Sequence, residues 1–332
     1  MVCSACSQKA IFGASVVRFQ GLTLLKGIAA FGIVGCHLFL APMTRAAESL
    51  LHFCDLGVAL FGAMSGFFLM MSYTQKEGSS LGTLIIHKAR RIFPAYFAWT
   101  AVFLLASPTF NFIVRHKTID PRYFEVGYWV SALFFGGSST HLWYLAWLFW
   151  WSVTLYMLWK GYRVFLSPAV LIGLSCISLY ICVFVGGSYC DYGLRLFVFM
   201  ALGAALYSIR STWSNAPFCL MLGATGVTLC AHVLLPVHAY VRDFMATLVI
   251  IPLFARIEFR AFRLISIVGG LSFGVYLIHP LITMMFSTLC LKYIGTPTSS
   301  LVLILDWVWV SVVSGSIVFA MKRHRLLEWM VR

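Results

Sequence analysis

Lys26 and His37 stand eleven residues apart in an apolar stretch, Gly21 to Ala41 (GLTLLKGIAAFGIVGCHLFLA), long enough to cross a bilayer. Ionisable groups at bilayer depth are costly, so their presence makes a functional site the first hypothesis. In a helix turning about 100° per residue, eleven steps return to within about 20° of the start, so both side chains leave one face, about 16 Å apart along the axis. A histidine can serve as general base, because its ordinary pKa lies near neutrality. The plainer reading is a packing histidine hydrogen-bonded across a bundle. This helix alone does not choose between the two.

Other polar groups fall at matching depths. Asp55 opens the next apolar stretch and is placed to orient or charge-stabilise His37, or to stand as a solvated end residue. Within that stretch Gly62, Ala63, Ser65 and Gly66 are small enough for two helices to approach closely. The following loop reads His87-Lys88-Ala89-Arg90-Arg91-Ile92-Phe93-Pro94. Its three cations serve as a topology signal, and they are also what a phosphorylated ligand requires. Further on, His141-Leu142-Trp143-Tyr144-Leu145 opens a later span, its Trp and Tyr ordinary interfacial residues. Tyr276-Leu277-Ile278-His279-Pro280 lies within another, where the proline releases a backbone carbonyl and His279 comes to a depth like that of His37.

The elements that must position these residues are membrane helices. Of 332 residues 61% are hydrophobic and 10% charged, with a mean hydropathy of +0.92. That composition excludes a soluble enzyme. Hydropathy predicts spans near 22–41, 55–73, 93–110, 142–158, 166–185, 192–207, 217–235, 240–255, 265–286 and 301–320. The fold class is therefore all-α, a polytopic membrane bundle of about ten transmembrane helices. The segment from Tyr123 to Phe135 is apolar but too short to cross and reads as interfacial or re-entrant. The domains are a tail over 1–20, a membrane domain over 21–320 and a basic tail over 321–332.

The net charge of +14 points to topology and not to nucleic acid, since no basic stripe alternates with exposed aromatics. With the start inside, sixteen Lys and Arg fall on the cytoplasmic side and seven on the other, so both termini are expected in the cytoplasm. The ten cysteines lie mostly within apolar spans, and the single CxxC of Cys3 and Cys6 has no second pair to complete a zinc site. No metal is expected. Paired Gly/Pro interruptions repeated between halves, a mark of many secondary transporters, are not visible.

In this order the motifs resemble the acyltransferase-3 family of integral membrane acyltransferases. The resemblance spans residues 20 to 320. It rests on Leu25-Lys26-Gly27-Ile28-Ala29-Ala30 with His37, Leu60-Phe61 through Met64-Ser65-Gly66-Phe67, Arg90-Arg91-Ile92-Phe93-Pro94, His141 through Leu145, and Tyr276 through Pro280. It implies a ten-helix bundle that takes an acyl group, most often acetyl, from cytoplasmic coenzyme A to a hydroxyl of a sugar, glycan or small metabolite. His37 matches the family's essential first-helix histidine and Lys26 the basic residue before it. Lys88 and Arg91 match the paired basic positions after the second helix, where the first is usually Arg. Residues 146–151 carry no carboxylate where many members have glutamate, which matches the family's glutamate-free branch.

On this reading the acyl-CoA nucleotide rests against Lys88, Arg90 and Arg91, and the pantetheine arm passes Lys26 toward His37. No cofactor is bound permanently; acyl-CoA is the donor substrate. His37 deprotonates the acceptor, His279 or Tyr276 supplies the oxyanion donor, and an acyl-His37 intermediate is the two-step alternative. Asp55, Ser65, His141, Trp143 and Tyr144 are the expected substrate contacts. The expected partners are acyl-CoA, the acceptor and the lipid bilayer, in a bacterial cytoplasmic membrane. Two other classes fit the buried charges: an exporter of glycans or metabolites, and a scaffold with degenerate motifs.

Overall fold

The computed structural model describes residues 19–38, 54–75, 80–113, 121, 125–135, 141–161, 167–185, 190–213, 219, 223, 226, 239–257, 263–293 and 300–331. Among these residues there is no strand, and ten α-helices follow in order. They are α1 Gln20–Cys36, α2 Leu56–Gln75, α3 Leu81–Ile113, α4 Val126–Phe135, α5 Trp143–Gly161, α6 Pro168–Phe184, α7 Cys190–Ser208, α8 Ala239–Arg256, α9 Arg263–Tyr293 and α10 Ser300–Arg323. Most of the span expected over 217–235 lies outside the described residues.

Three helical stretches, Leu56–Gln75, Leu264–Phe286 and Val302–Arg323, are long and apolar enough to cross a membrane. Gln20–Cys36, Pro168–Phe184 and Tyr192–Ser208 are apolar and shorter. The outer faces agree with an integral membrane protein. Ile304, Leu305, Val308 and Val312 of α10, and Ile177, Tyr180 and Phe184 of α6, are exposed without polar neighbours to justify it in water. α4 has ten residues, about 15 Å of helix, too short to cross. It is pinned to the bundle where the Tyr96 hydroxyl donates to the Ala132 carbonyl at 2.6 Å.

Small residues set the tightest packing. A Cβ built on Gly66 would lie 1.9 Å from the Met200 carbonyl oxygen, and one on Gly203 would lie 1.8 Å from that of Ala63. α2 and α7 thus touch backbone to backbone in both directions, which the small-residue run of α2 permits. α1 is seated on α9 in the same manner, since Gly269 abuts the Thr23 carbonyl. α1, α2, α7 and α9 form the inner bundle; α3 lies outside it, packed mainly on α5, α4 and the turn that follows α10.

The first helix ends earlier than its hydropathy predicts. α1 stops at Cys36, and His37 is its C-cap, with φ −100° and ψ 7°. The His37 backbone N–H bonds to Val34 at 3.2 Å, which leaves the Ile33 carbonyl without its usual helical partner. The His37 side chain takes that place, its Nδ1 lying 2.9 Å from the Ile33 oxygen. Apolarity in the sequence continues to Ala41, so hydropathy alone does not mark this cap.

Candidate active site

Three histidines from three elements meet near one end of α1. His37 caps α1, His279 lies about halfway along α9, and His141 sits just before α5. His279 is fully buried. Its Nε2 lies 3.2 Å from the His37 Nδ1, and its Nδ1 lies 3.1 Å from the Val275 carbonyl oxygen. Ring centroids are 5.0 Å apart for His37 and His279, 5.7 Å for His141 and His279, and 6.5 Å for His37 and His141. No group of three or more His, Cys, Asp or Glu suited to a metal occurs among the described residues.

These contacts determine which nitrogens carry protons. A carbonyl oxygen only accepts, so the Val275 contact puts the proton of a neutral His279 on Nδ1 and leaves Nε2 as acceptor. The Ile33 contact likewise puts a proton on the His37 Nδ1, which donates to Ile33 and reaches His279 Nε2. The His37 Nε2 then holds the lone pair a general base needs. Pro280 shapes the other half of the pair. Lacking an N–H, it frees the Tyr276 carbonyl one turn back, and the His279 ring turns toward the Val275 and Tyr276 carbonyls.

A cavity of about 580 Å³ occupies the space between α1, α2, α3, α5 and α9. Lys26, His87, Lys88 and Arg91 line it, together with Phe61, Ser65, Tyr144 and Tyr276. Lys88 and Arg91 share a wall because they are three residues apart on α3. Arg90 is turned away by helical geometry: it is exposed and lies off the cavity wall. Lys88 is half-buried, and burial, with the Arg91 charge beside it, lowers its ammonium to about 8. Lys26 sits with its ammonium 4.1 Å from the centre of the Phe68 ring, a cation–π contact that holds it at the wall.

Neither His37 nor His279 lines this cavity; tyrosines stand between. The Tyr276 ring is 6.1 Å from that of His279, and its hydroxyl donates to the His141 carbonyl. Tyr144 and Ser65 share a hydrogen bond of 3.0 Å. Asp55 lies close enough to act electrostatically on His37, while the Cys36 thiol donates to the Gly32 carbonyl at 3.6 Å. Trp143 turns from the cavity and packs against Tyr192, ring centroids 5.1 Å apart.

The sequence reading missed a second charged group. Arg195 of α7 meets Asp243 of α8 at 3.2 Å, and Arg242 meets the other oxygen of the same carboxylate at 2.9 Å. The signal was available, since an Arg and an Asp in apolar spans invite the argument applied to Lys26.

A family model described as an acyltransferase domain matches residues 19–321, nearly the whole chain. No curated protein and no solved structure matches it.

Proposed function

Because the chain belongs to the acyltransferase-3 family, we propose that it moves an acetyl group from cytoplasmic acetyl-CoA to a hydroxyl of a sugar, glycan or small metabolite. One observation carries this reading. A single cavity is lined both by cationic side chains suited to phosphate, Lys26, Lys88 and Arg91, and by hydroxyl groups, among them Tyr276, whose ring lies 5.6 Å from that of His141. A nucleotide at the cationic side chains and an uncharged pantetheine arm within would match that lining. The cationic wall then faces the cytoplasm, both termini lie on that side, and the ten-span bundle sits in a bacterial cytoplasmic membrane.

The chemistry follows from the proton positions. His37 Nε2 takes the proton of the acceptor hydroxyl as its oxygen attacks the thioester carbonyl carbon. The C–S bond breaks, and the coenzyme A thiolate takes that proton from the imidazolium. His279, accepting from His37 Nδ1, orients the base, as the third member of a catalytic triad does. That task removes it as oxyanion donor, because its Nε2 has no proton to give. Tyr276 is also committed, to the His141 carbonyl. In the Ser65–Tyr144 pair one hydroxyl donates to the other, which leaves one proton free to meet the developing oxyanion at the cavity wall. The inward step that brings the thioester to His37 is a displacement of the Tyr276 ring, while the Ser65–Tyr144 pair stays in place. Asp55 supports the cationic His37 formed midway.

Purified protein incubated with acetyl-labelled acetyl-CoA and a pool of glycans and hydroxylated metabolites is expected to move label onto an acceptor. A folded His37→Ala variant is expected to lose that transfer. Full activity in that variant refutes the assignment.

A further inference from the structure

The chain does not leave the bundle after α10. Residues His324 to Met330 make successive tight turns, with Leu327 and Glu328 N–H groups on the His324 carbonyl and the Met330 N–H on that of Leu327. They bring Val331 back to the level of Val318, five residues and about 7.5 Å up α10. Val331 is 1% exposed. It fills a notch over Gly274 of α9, where a Cβ would lie 3.1 Å from its own. The preceding Met330 carbonyl accepts from the Trp99 indole N–H of α3 at 2.9 Å.

We propose that this turn, residues 324–331, is the clamp that holds α3 against α9 and so keeps the cationic wall of the cavity in place. α3 carries Lys88 and Arg91, while α9 supplies Gly269, Gly270 and Tyr276 to another wall. α3 has no extensive packing on α1, α2 or α9; apart from α5 and the short α4, its main support is this turn. The turn in turn rests on α10, whose Lys322 ammonium donates to the Gly270 carbonyl of α9. The support also reaches inward: Trp99 packs on Phe103, and Phe103 on His141, ring centroids 6.1 and 4.8 Å apart. Val331, Met330 and Trp99 are thus positioning residues for the donor site.

Two measurements test this, and only the kinetic one rests on the proposed function. Genetically encoded spin labels at Ile86 on α3 and Ile267 on α9, both exposed, report the separation of the two walls without substrate. Val331→Asp is expected to lengthen and broaden that distance distribution, whereas Val331→Ile keeps it. An unchanged distribution in Val331→Asp overturns the proposal, whatever reaction the protein carries out. In transfer assays Val331→Asp is expected to raise the KM for acetyl-CoA about tenfold, with kcat at saturating donor and the KM for acceptor within about twofold. Trp99→Phe, which loses the N–H but keeps the ring, is expected to raise it about threefold. A fall in kcat with donor KM unchanged overturns the clamp, since it would place the effect at the chemistry. If the unaltered protein moves no acyl group, the functional reading fails and the distance measurement alone decides.

Discussion

Lys88→Arg has an effect on the pH profile that follows from one side-chain environment. Burial in the cavity wall, with Arg91 three residues on, lowers the Lys88 ammonium from 10.5 to about 8 in the free protein. If only the cationic form receives the donor phosphates, kcat/KM for acetyl-CoA falls as pH rises through about 8, because that ratio reports groups in the free enzyme. The fraction of cationic Lys88 is about 0.9 at pH 7 and about 0.1 at pH 9. The expected loss is therefore about tenfold over that interval, equivalent to about 1.4 kcal/mol of donor binding. A guanidinium keeps its charge throughout. The assay is kcat/KM for acetyl-CoA at fixed saturating acceptor, from pH 6.5 to 9.5, in the unaltered protein and in Lys88→Arg. The ratio of unaltered to variant is expected to fall about tenfold from pH 7 to pH 9. Stability without donor runs the opposite way. Between 8 and 10.5 the unfolded chain holds the Lys88 proton more firmly than the folded one, so raising pH through that window stabilises the fold while weakening donor binding. A ratio flat with pH would refute the reasoning, by showing that Lys88 holds no phosphate or is no more buried than an ordinary lysine.

Two further predictions concern the histidine pair and the α2–α7 contact. His279→Ala removes the acceptor for His37 Nδ1–H and is expected to lower kcat about a hundredfold, within the usual range for acid–base groups. His279→Gln, whose amide oxygen can accept the same proton, should retain about a tenth of the activity, and equal rates in the two variants would reduce His279 to packing. Gly203→Ala sets a methyl group 1.8 Å from the Ala63 carbonyl oxygen. It should cost about 3 kcal/mol in a detergent unfolding titration. Gly127→Ala, where the added Cβ meets nothing within 4 Å, is the control and should be neutral or slightly stabilising.

The parts of the site carried by charge and helical spacing were legible in the sequence. Lys26 was conspicuous because an apolar helix gives a cation no reason to be there, and the three-residue spacing of Lys88 and Arg91 puts them on one wall without any tertiary knowledge. The same spacing argument, applied to Arg90, would have removed it. His37 was read as a residue within a helix because apolarity continues to Ala41, yet the helix ends on a capping contact that composition does not encode. Arg195 and Asp243 were missed for a different reason. Neither residue carries a local motif, and only packing of α7 on α8 shows that they share one ion pair. The turn after α10 falls in the segment that reads as a basic tail, and only the burial of Val331 shows that it packs back on the bundle. Such contacts between distant elements carry little trace in local sequence.

The reciprocal backbone contact of α2 and α7 makes the stiffness of this bundle uneven. Helices meshed at Gly66 and Gly203 cannot slide past each other without a clash of peptide groups, so α2 and α7 move, if at all, as one body. α3 has no such interlock and is held mainly by side chains on one flank and by a single turn of chain on the other. Any breathing of the cavity therefore falls on α3, like a door hung between a fixed post and a latch. α3 can then shift without the histidine pair on α1 and α9 losing its alignment.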